Sequence, residues 1–341
     1  MEPLVSVAPM VDVTNVFFRN FMRLLTRHSV LYTEMMIAHK VANGTQEERS
    51  RVLQMTEAEH KVVAQLGGSD PEVMAEAAYL CQQRGYDEIN INCGCPSNRV
   101  EKGFFGACLM LDPERVREIA HQMARRVSVP VTVKCRLGVD DQESYPNLCE
   151  FVSTVSQAGV TDFIIHARKA VLKGLSPAEN RTIPPLRYNW VYDLVKEFPD
   201  LRFQINGGVQ THEMISEHLR AGVAGVMLGR HAYNNPWFFR EVDSLHYKVP
   251  DQNLSRKEVI LKYGEICDKI CEDSGKEFNH VLMAKPLSNL FASERSNKQW
   301  RRELDQYSKS KKLKSFSEVS EAMVRVMEEA NPEALDRKSS V

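Results

Sequence analysis

The chain has 341 residues, of which 43% are hydrophobic and 26% are charged, and its formal net charge is -1. This composition predicts a globular protein with a large core and excludes a globally basic nucleic-acid-binding chain, so any such role must come from a local patch. No apolar run approaches the roughly 20 residues that span a bilayer, and no signal peptide precedes the first strand pattern. We therefore expect a cytoplasmic protein without membrane contacts, although a trimmed organelle leader would leave no trace in this sequence.

Short apolar runs predict eight β-strands along the chain. They cover residues 5–10, 30–35, 62–66, 88–92, 131–135, 163–166, 202–206 and 225–229. Helical periodicity lies between many of them, at 71–84, 113–126, 145–158 and 212–221. Asp70 and Asp112 each precede a proline, which is typical of a capped helix start. Apolar strands that alternate with helices indicate a parallel sheet, and eight such units favour an α/β fold of the (β/α)8 TIM-barrel type over a doubly wound open sheet.

Polar residues and glycines follow the predicted strands, where a TIM barrel carries its functional groups. The strand ends carry Pro9, Met10, Glu34, Gln65, Asn90, Asn92, Lys134, Arg136, His166, Arg168, Asn206, Gly207, Gly208, Gly229 and Arg230. The last two ends, at residues 206–208 and 228–230, follow strands seven and eight, where barrels usually bind phosphate. Either segment alone would also fit a tight turn, but together they predict a phosphate-bearing cofactor.

The motifs and polar residues at the strand ends indicate which cofactor binds. No GxGxxG motif follows the first strand, which argues against a Rossmann-type nicotinamide site. Gln65 can donate and accept hydrogen bonds, and Lys134 can stabilise developing negative charge, as the N1–O2 edge of a reduced flavin requires. Alternatively, Lys134 is a core lysine paired with a carboxylate such as that of Glu34, and His166 is a structural histidine.

Two cysteine-containing segments, residues 90–97 and 103–110, form the centre of the predicted site. The first ends a strand, and the second is a candidate loop in which glycines flank Cys108. Those glycines favour a mobile, exposed loop over a buried structural cysteine. Cys95 precedes Pro96 and is more typical of a packed turn.

The eight cysteines lack the density and spacing of a secreted disulfide scaffold, which indicates a reducing compartment. Cys93 and Cys95 are too close for the usual zinc spacing and have no matching pair nearby, so we expect no metal. Cys267 and Cys271 lie one helical turn apart and are typical of buried small residues.

The pattern after Pro250 is purely helical, with segments at 256–273, 280–292, 300–309 and 316–330. Eight Lys or Arg residues between Arg295 and Lys314 stand against only Glu303 and Asp305, which fits either a solvated helix face or a nucleic-acid contact. The sequence thus predicts a catalytic barrel at 1–248, a small all-helical domain at 249–330 and a disordered tail at 331–341.

Nine motifs, which together cover nearly the whole chain, carry a family resemblance. They are residues 8–10, 31–35, 65–70, 85–90, 94–97, 105–110, 166–170, 174–177 and 299–302. With them the sequence resembles the tRNA-dihydrouridine synthases, in particular the branch that acts on uridines 20 and 20a of the D-loop. The Gly-Cys-Pro and Gly-Ala-Cys-Leu pair distinguishes it from most other flavin barrels, and His-Ala-Arg-Lys-Ala and Gln-Trp-Arg-Arg point to that branch.

The resemblance implies a flavoprotein that binds FMN, takes electrons from NADPH and processes tRNA. It assigns the cofactor to Pro9, Met10, Val11, Gln65, Lys134, His166, Asn206, Gly207, Gly208, Gly229 and Arg230. It makes Cys108 the catalytic acid, since a thiol with a reference pKa of about 8.5 is protonated at neutral pH yet can give a proton to an enolate. For tRNA we expect contacts from Asn92, Arg168, Arg181, Lys298, Arg301 and Arg302, with Asn92 orienting the uracil that has left its stack.

Two other functions stay open at this stage. A flavin-dependent dehydrogenase of free pyrimidines would share the barrel and FMN, but it would not need the basic helical domain. A non-catalytic RNA-binding barrel would need neither Cys108 nor Lys134. We expect the protein to be a monomer.

Overall fold

The structure is a computed structural model that describes residues 4–97, 103–275, 277 and 279–338. Eight parallel strands close into a barrel in which each strand pairs with the next and the last pairs with the first. They are β1 (Leu4–Val7), β2 (Val30–Ile37), β3 (Val62–Gly67), β4 (Glu88–Cys93), β5 (Val131–Cys135), β6 (Asp162–His166), β7 (Arg202–Asn206) and β8 (Gly225–Leu228). The predicted TIM barrel is confirmed, and the open-sheet alternative is excluded because an open sheet has two unpaired edges.

The α-helices are α1 (Val16–Arg23), α2 (Ala38–Asn43), α3 (Gln46–Val52), α4 (Pro71–Arg84), α5 (Pro113–Arg126), α6 (Tyr145–Ser156), α7 (Tyr188–Glu197), α8 (His212–Arg220), α9 (Arg230–Asn234), α10 (Arg256–Ser274), α11 (His280–Ala284), α12 (Asn297–Ser308), α13 (Phe316–Ala330) and α14 (Pro332–Asp336). Short 3-10 turns cover Glu57–Glu59, Gly106–Leu111, Glu179–Arg181, Pro236–Glu241 and Pro286–Asn289, and a π-helical turn covers Asp243–Tyr247.

Local sequence explains where the barrel helices begin. The Asp70 carboxylate accepts from the Val73 N–H at 2.9 Å, and the Asp112 carboxylate accepts from the Arg115 N–H at 3.0 Å. Each cap is worth about 1 kcal/mol because it satisfies an N–H group that the helix itself leaves unpaired. The two capped starts predicted from Asp-Pro pairs are confirmed.

The chain forms two compact units. The first holds the residues up to Val11, Val30–Gln54 and His60–Gly229, and so contains all eight strands. The second holds Asp12–Ser29, Met55–Glu59 and the residues from Arg230 onward. This division differs from the predicted boundary at residue 248, because the first unit already ends at Gly229. In addition, α1 and the turn at 57–59 belong to the helical unit although they lie between strands in sequence.

Hydrogen bonds within the second unit show why residues 12–29 belong to it. The Asp243 carboxylate accepts from Thr26 Oγ1 at 2.6 Å, from the Arg27 N–H at 2.7 Å and from the His28 N–H at 3.3 Å. Asp243 is only 1% exposed. A buried carboxylate that accepts three hydrogen bonds holds the loop after α1 firmly in this unit.

The predicted disordered tail needs a correction. Residues 332–336 form α14, where Ala334 and Leu335 are fully buried. The Asn331 side chain accepts from the Ala334 N–H at 3.2 Å and donates to Ser296 Oγ at 3.0 Å. The polar composition of the segment hid two apolar residues that pack inside the second unit.

Candidate active site

The register of the barrel aligns the predicted site residues in neighbouring pairs. Gln65 pairs with Asn90, Asn92 pairs with Lys134, and His166 pairs with Asn206. Because alternate residues of a strand share a face, these side chains project to the same side of their strands. The carboxyl end of the barrel, called the mouth below, therefore carries most of the predicted cofactor residues of the first unit.

Lys134 is held by an amide. Its Nζ donates to Asn206 Oδ1 at 3.1 Å, and Asn206 Nδ2 donates to the Met227 carbonyl at 2.8 Å. Glu34, the predicted alternative partner, is not the acceptor of this hydrogen bond. Burial, with a smaller contribution from the nearby Arg136, lowers the pKa of Lys134 to about 8. A lysine in this state responds strongly to a negatively charged ligand.

Arg136 adds positive charge beside Lys134. Arg136 is 3% exposed and donates to the carbonyls of Gly94 at 2.9 Å, Lys169 at 3.0 Å and Asn180 at 2.8 Å. Burial lowers the pKa of Arg136 to about 10, and repulsion by Arg181 and Arg168 contributes to the shift. The predicted tRNA residues Arg168 and Arg181 are therefore close enough to Arg136 to interact. The mouth favours an anionic ligand.

Gly207 and Gly208 follow β7 with φ values of 115° and 75°. Side chains rarely adopt this backbone conformation, and a Cβ atom on Gly207 would lie 2.9 Å from His166 Cδ2. The Tyr188 hydroxyl donates to the Gly207 carbonyl at 2.6 Å, which fixes the turn. The close approach of the backbone to His166 supports the prediction that residues 206–208 bind a phosphate.

We expect Gly207→Ala to weaken cofactor binding more than its loss of stability explains. Gly85 provides a matched control, because its φ is 103° but a Cβ atom there would meet nothing within 4 Å. Both variants should lose about 1–2 kcal/mol of stability from backbone strain, and only Gly207→Ala should also displace the His166 ring. Thermal unfolding and cofactor titration of both variants measure the difference. Equal cofactor affinity would show that the His166 contact is irrelevant to binding.

Gly229 and Arg230 belong to the second segment predicted to bind phosphate, residues 228–230. Gly229 is the last residue of the first unit, and Arg230 begins α9 in the second. A Cβ atom on Gly229 would meet only Ala8 Cβ, at 3.6 Å. Pro9 and Met10 after β1 are half-buried, and Val11 is 58% exposed.

The Asn92 side chain is largely occupied by the protein itself. Its Oδ1 accepts from the N–H groups of Gly94 at 3.1 Å and Cys95 at 3.0 Å, and its Nδ2 donates to Gln65 Oε1 at 2.7 Å. An amide oxygen has two lone pairs, so this oxygen is saturated. Asn92 can therefore offer a base only its remaining N–H.

Cys108 lies in the 3-10 turn Gly106–Leu111 and is 3% exposed, so the prediction of an exposed loop is wrong for this structure. Ala107 and Leu109 on either side are fully buried, and the Ala107 N–H donates to the Cys95 carbonyl at 2.9 Å. The burial of these apolar residues holds the segment against the end of β4, and the flanking glycines do not make it an exposed loop.

The neighbouring thiols differ from Cys108 in position. Cys93 and Cys135 are fully buried partners in the β4–β5 register. Burial raises the pKa of Cys135 to about 12 and that of Cys93 well above its usual value. Such thiols are inert. No disulfide joins any of the eight cysteines, all of which lie in described residues.

The predicted basic surface lies on α12 in the second unit. Lys298, Arg301 and Arg302 are exposed and share one helix face by their spacing, while Trp300 and Leu304 are buried. Arg302 Nη2 lies 2.6 Å from Glu303 Oε1. Such exposed side chains are available to a partner.

Several residues of the interior were missed from the sequence. Thr132 and Glu88 lie deeper in the barrel than Lys134 and Asn92, and both carry hydrogen bonds that lead to the mouth. Their signal is the alternation of polar residues at Glu88, Asn90 and Asn92 in a strand that otherwise reads as apolar. Among the residues described, no group of three or more His, Cys, Asp or Glu could hold a metal ion, and no helix combines the length and hydropathy needed to cross a membrane.

The closed parallel barrel and its polar, cation-rich mouth place this chain in the class of TIM-barrel enzymes. The family model described as dihydrouridine synthase (Dus) matches residues 6–328. The chain belongs to this family.

Named relatives extend the match. The chain is 47% identical over 304 residues to the tRNA-dihydrouridine(20/20a) synthase of Synechocystis sp., which covers 89% of each chain. It is 44% identical to the enzyme of the same name from Escherichia coli (strain K12), over 88% of this chain and 85% of that one. Among solved structures, a 2-naphthoyl-CoA reductase complex aligns with a TM-score of 0.54 and 12% identity, over 70% of this chain and 49% of that one. This last similarity shows the barrel fold alone.

Proposed function

We propose that this protein reduces the C5–C6 bond of uridines 20 and 20a in the tRNA D-loop, with FMN as bound cofactor and NADPH as reductant. The observation that carries the proposal is the similarity of 44–47% over nearly nine-tenths of the chain to enzymes named for those two positions. The geometry of the mouth is consistent with it.

The mouth residues fit an isoalloxazine edge that carries carbonyl oxygen and ring nitrogen. Lys134 donates one N–H to Asn206, and Gln65 donates one N–H to Asn90, so each side chain keeps at least one N–H for a ligand. Lys134 supplies positive charge where a reduced ring carries negative charge. The positive-φ turn at Gly207 and Gly208 lets backbone approach a phosphate closely. Bound FMN would supply the hydride that goes to C6 of uracil.

The protein itself supplies the proton. Cys108 is the thiol next to the backbone contact between Ala107 and Cys95 at the end of β4, and we assign it the protonation of C5. Because Cys108 is 3% exposed, the segment 106–111 must shift slightly to admit a base. Asn92 donates its remaining N–H to an oxygen of the base.

The RNA backbone needs cationic contacts away from the reacting base. Lys298 and Arg301 on α12 have no acidic ion-pair partner within the described part of the chain, which leaves them available for phosphate. At the mouth, Arg168 and Arg181 extend the positive field of Arg136. We assign all four, with Arg302, to tRNA contacts. The protein works as a monomer in the cytoplasm in this proposal.

The test compares substrates. Purified protein should show the visible absorption of bound flavin and should form dihydrouridine with NADPH on unmodified tRNA, but not on free uracil. Mapping of the product should place it at positions 20 and 20a. Turnover of uracil without turnover of tRNA would instead establish a dehydrogenase of free pyrimidines, and a colourless protein that binds tRNA would establish an RNA-binding barrel.

Lys134 predicts a pH dependence of FMN binding. Its pKa of about 8 means that the flavin-free protein loses the lysine charge as pH rises through that value. An anionic ligand binds the protonated form better, so the contribution of Lys134 to affinity should be constant below about pH 7 and fall by up to about tenfold per unit above about pH 8. Lys134→Met should bind FMN more weakly and show no such decline. Quenching of FMN fluorescence measures both proteins, and a parallel pH profile would exclude Lys134 as the titrating group.

The same shift affects stability. Because the folded pKa lies below the usual 10.5, the folded state releases the Lys134 proton first. The cost of burying the charge is therefore full below pH 8 and disappears as the pH approaches 10.5. A bound anion removes part of this cost, so cofactor should stabilise the protein most in the lower part of the range.

A further inference from the structure

A continuous set of hydrogen bonds runs through the barrel interior from the amino end of β4. Thr132 Oγ1 donates to Glu88 Oε1 at 2.5 Å, and Asn90 Nδ2 donates to Thr132 Oγ1 at 2.9 Å. Gln65 Nε2 then donates to Asn90 Oδ1 at 2.8 Å. Glu88 begins β4, so the set starts at the end of the barrel opposite the mouth.

The set continues to the segment of Cys108. Asn92 Nδ2 donates to Gln65 Oε1 at 2.7 Å, and Asn92 Oδ1 accepts from the N–H groups of Gly94 and Cys95 at 3.1 and 3.0 Å. The Cys95 carbonyl accepts from the Ala107 N–H at 2.9 Å. We call the five side chains Glu88, Thr132, Asn90, Gln65 and Asn92 the relay.

The two ends of the relay fix the direction of every bond in it. An amide side chain can in principle present its oxygen or its nitrogen to a neighbour. At the mouth, backbone N–H groups of Gly94 and Cys95 can only donate, so Asn92 must turn its oxygen toward them. At the end of the barrel opposite the mouth, Tyr32 and Thr132 both form hydrogen bonds with Glu88, which is the acceptor for Thr132.

Because the relay is buried, a hydrogen bond lost by reversing one side chain is not replaced by water. Gln65, Asn90 and Thr132 are 1%, 0% and 2% exposed, so water is not at hand to replace a lost partner. Burial raises the pKa of Glu88 to about 7, and the Thr132 hydrogen bond opposes that rise. In either protonation state a Glu88 oxygen remains as acceptor for Thr132.

We propose that Thr132 and Glu88, at the far end of the barrel, are positioning residues that act through Asn90 to hold the amide of Gln65 at the mouth, whereas the N–H groups of Gly94 and Cys95 orient Asn92. Thr132 is the critical link, because its hydroxyl accepts from Asn90 while it donates to Glu88. Without it, Asn90 loses the partner that points its oxygen toward Gln65. The consequence for FMN rests on the function proposed above, whereas the orientation of the amides does not.

Thr132→Val tests the relay, since valine keeps the shape and removes the hydroxyl. We expect it to fold, to bind FMN about tenfold more weakly, as loss of a buried hydrogen-bond partner implies, and to shift the flavin absorption bands and midpoint potential. Thr132→Ser keeps the hydroxyl and should restore all three. Ile164→Val, in the buried core of β6, controls for a general loosening of the barrel and should leave the flavin signals unchanged.

A readout without flavin separates this inference from the proposed function. In flavin-free protein labelled with ¹⁵N-glutamine, the side-chain amide resonances of Gln65, assigned with Gln65→Glu, should move in Thr132→Val and return in Thr132→Ser. Unchanged resonances in folded Thr132→Val would overturn the relay. If the resonances move but wild type binds no FMN, the relay stands and the proposed function fails. Shifted resonances with unchanged FMN affinity, spectrum and potential would overturn the positioning role.

Discussion

Replacement of Cys108 by alanine is expected to lower dihydrouridine formation by about 10²- to 10⁴-fold, the usual contribution of a general acid. The variant should keep FMN and bind tRNA normally, because alanine removes only the sulfur from a site that is already enclosed. Single-turnover reaction of the reduced enzyme with excess unmodified tRNA measures the chemical step directly. Reduction of the flavin by NADPH should proceed at the wild-type rate, which places the defect after that step.

Cys95→Ala is the matched control for that loss. Cys95 is partly exposed, and its thiol donates only a weak hydrogen bond to Ser97 Oγ at 3.5 Å. Its backbone donates to Asn92 and accepts from Ala107. Alanine keeps both contacts, so this variant should retain most of the rate. A Cys108→Ala enzyme as fast as Cys95→Ala would reject Cys108 as the acid.

The alternation of apolar strand patterns with helical patterns made the barrel predictable from the sequence. All eight strands appear within a few residues of their predicted positions, because near-continuous apolar runs separated by helical patterns allow few other folds. The mouth residues followed from the strand ends alone, and the register later aligned Asn92 with Lys134 and His166 with Asn206. The strand ends thus predicted which polar side chains the register brings side by side at the mouth.

Local chemistry was harder to predict than position. The glycines around Cys108 indicated a hinge, yet Ala107 and Leu109 are fully buried and decide the exposure of the segment. Asn92 was placed correctly at a strand end, but the hydrogen bonds that saturate its oxygen come from backbone N–H groups that a sequence does not locate. The membership of α1 in the helical unit likewise depends on the long-range contacts of Asp243.

Replacement of Arg19 by methionine is expected to destabilise the second unit by about 3–5 kcal/mol, because it leaves a buried carboxylate without its cation. Glu59 is fully buried, and its Oε2 lies 2.5 Å from Arg19 Nε. Its Oε1 accepts from Asn20 Nδ2 at 2.9 Å and from the Thr56 N–H at 2.8 Å. Urea unfolding followed by the fluorescence of Trp237 and Trp300, both buried in this unit, measures the loss.

Arg51→Met is the exposed counterpart, since Arg51 and Glu47 are 69% and 72% exposed, and it should cost no more than about 1 kcal/mol. The double variant Arg19→Met Glu59→Gln separates loss of charge balance from loss of packing. Glutamine can keep its oxygen toward Asn20 and Thr56 while it removes the unpaired charge, so the double variant should be more stable than Arg19→Met alone. If both were equally unstable, packing of the Arg19 side chain, and not compensation of the Glu59 charge, would hold α1 in the helical unit.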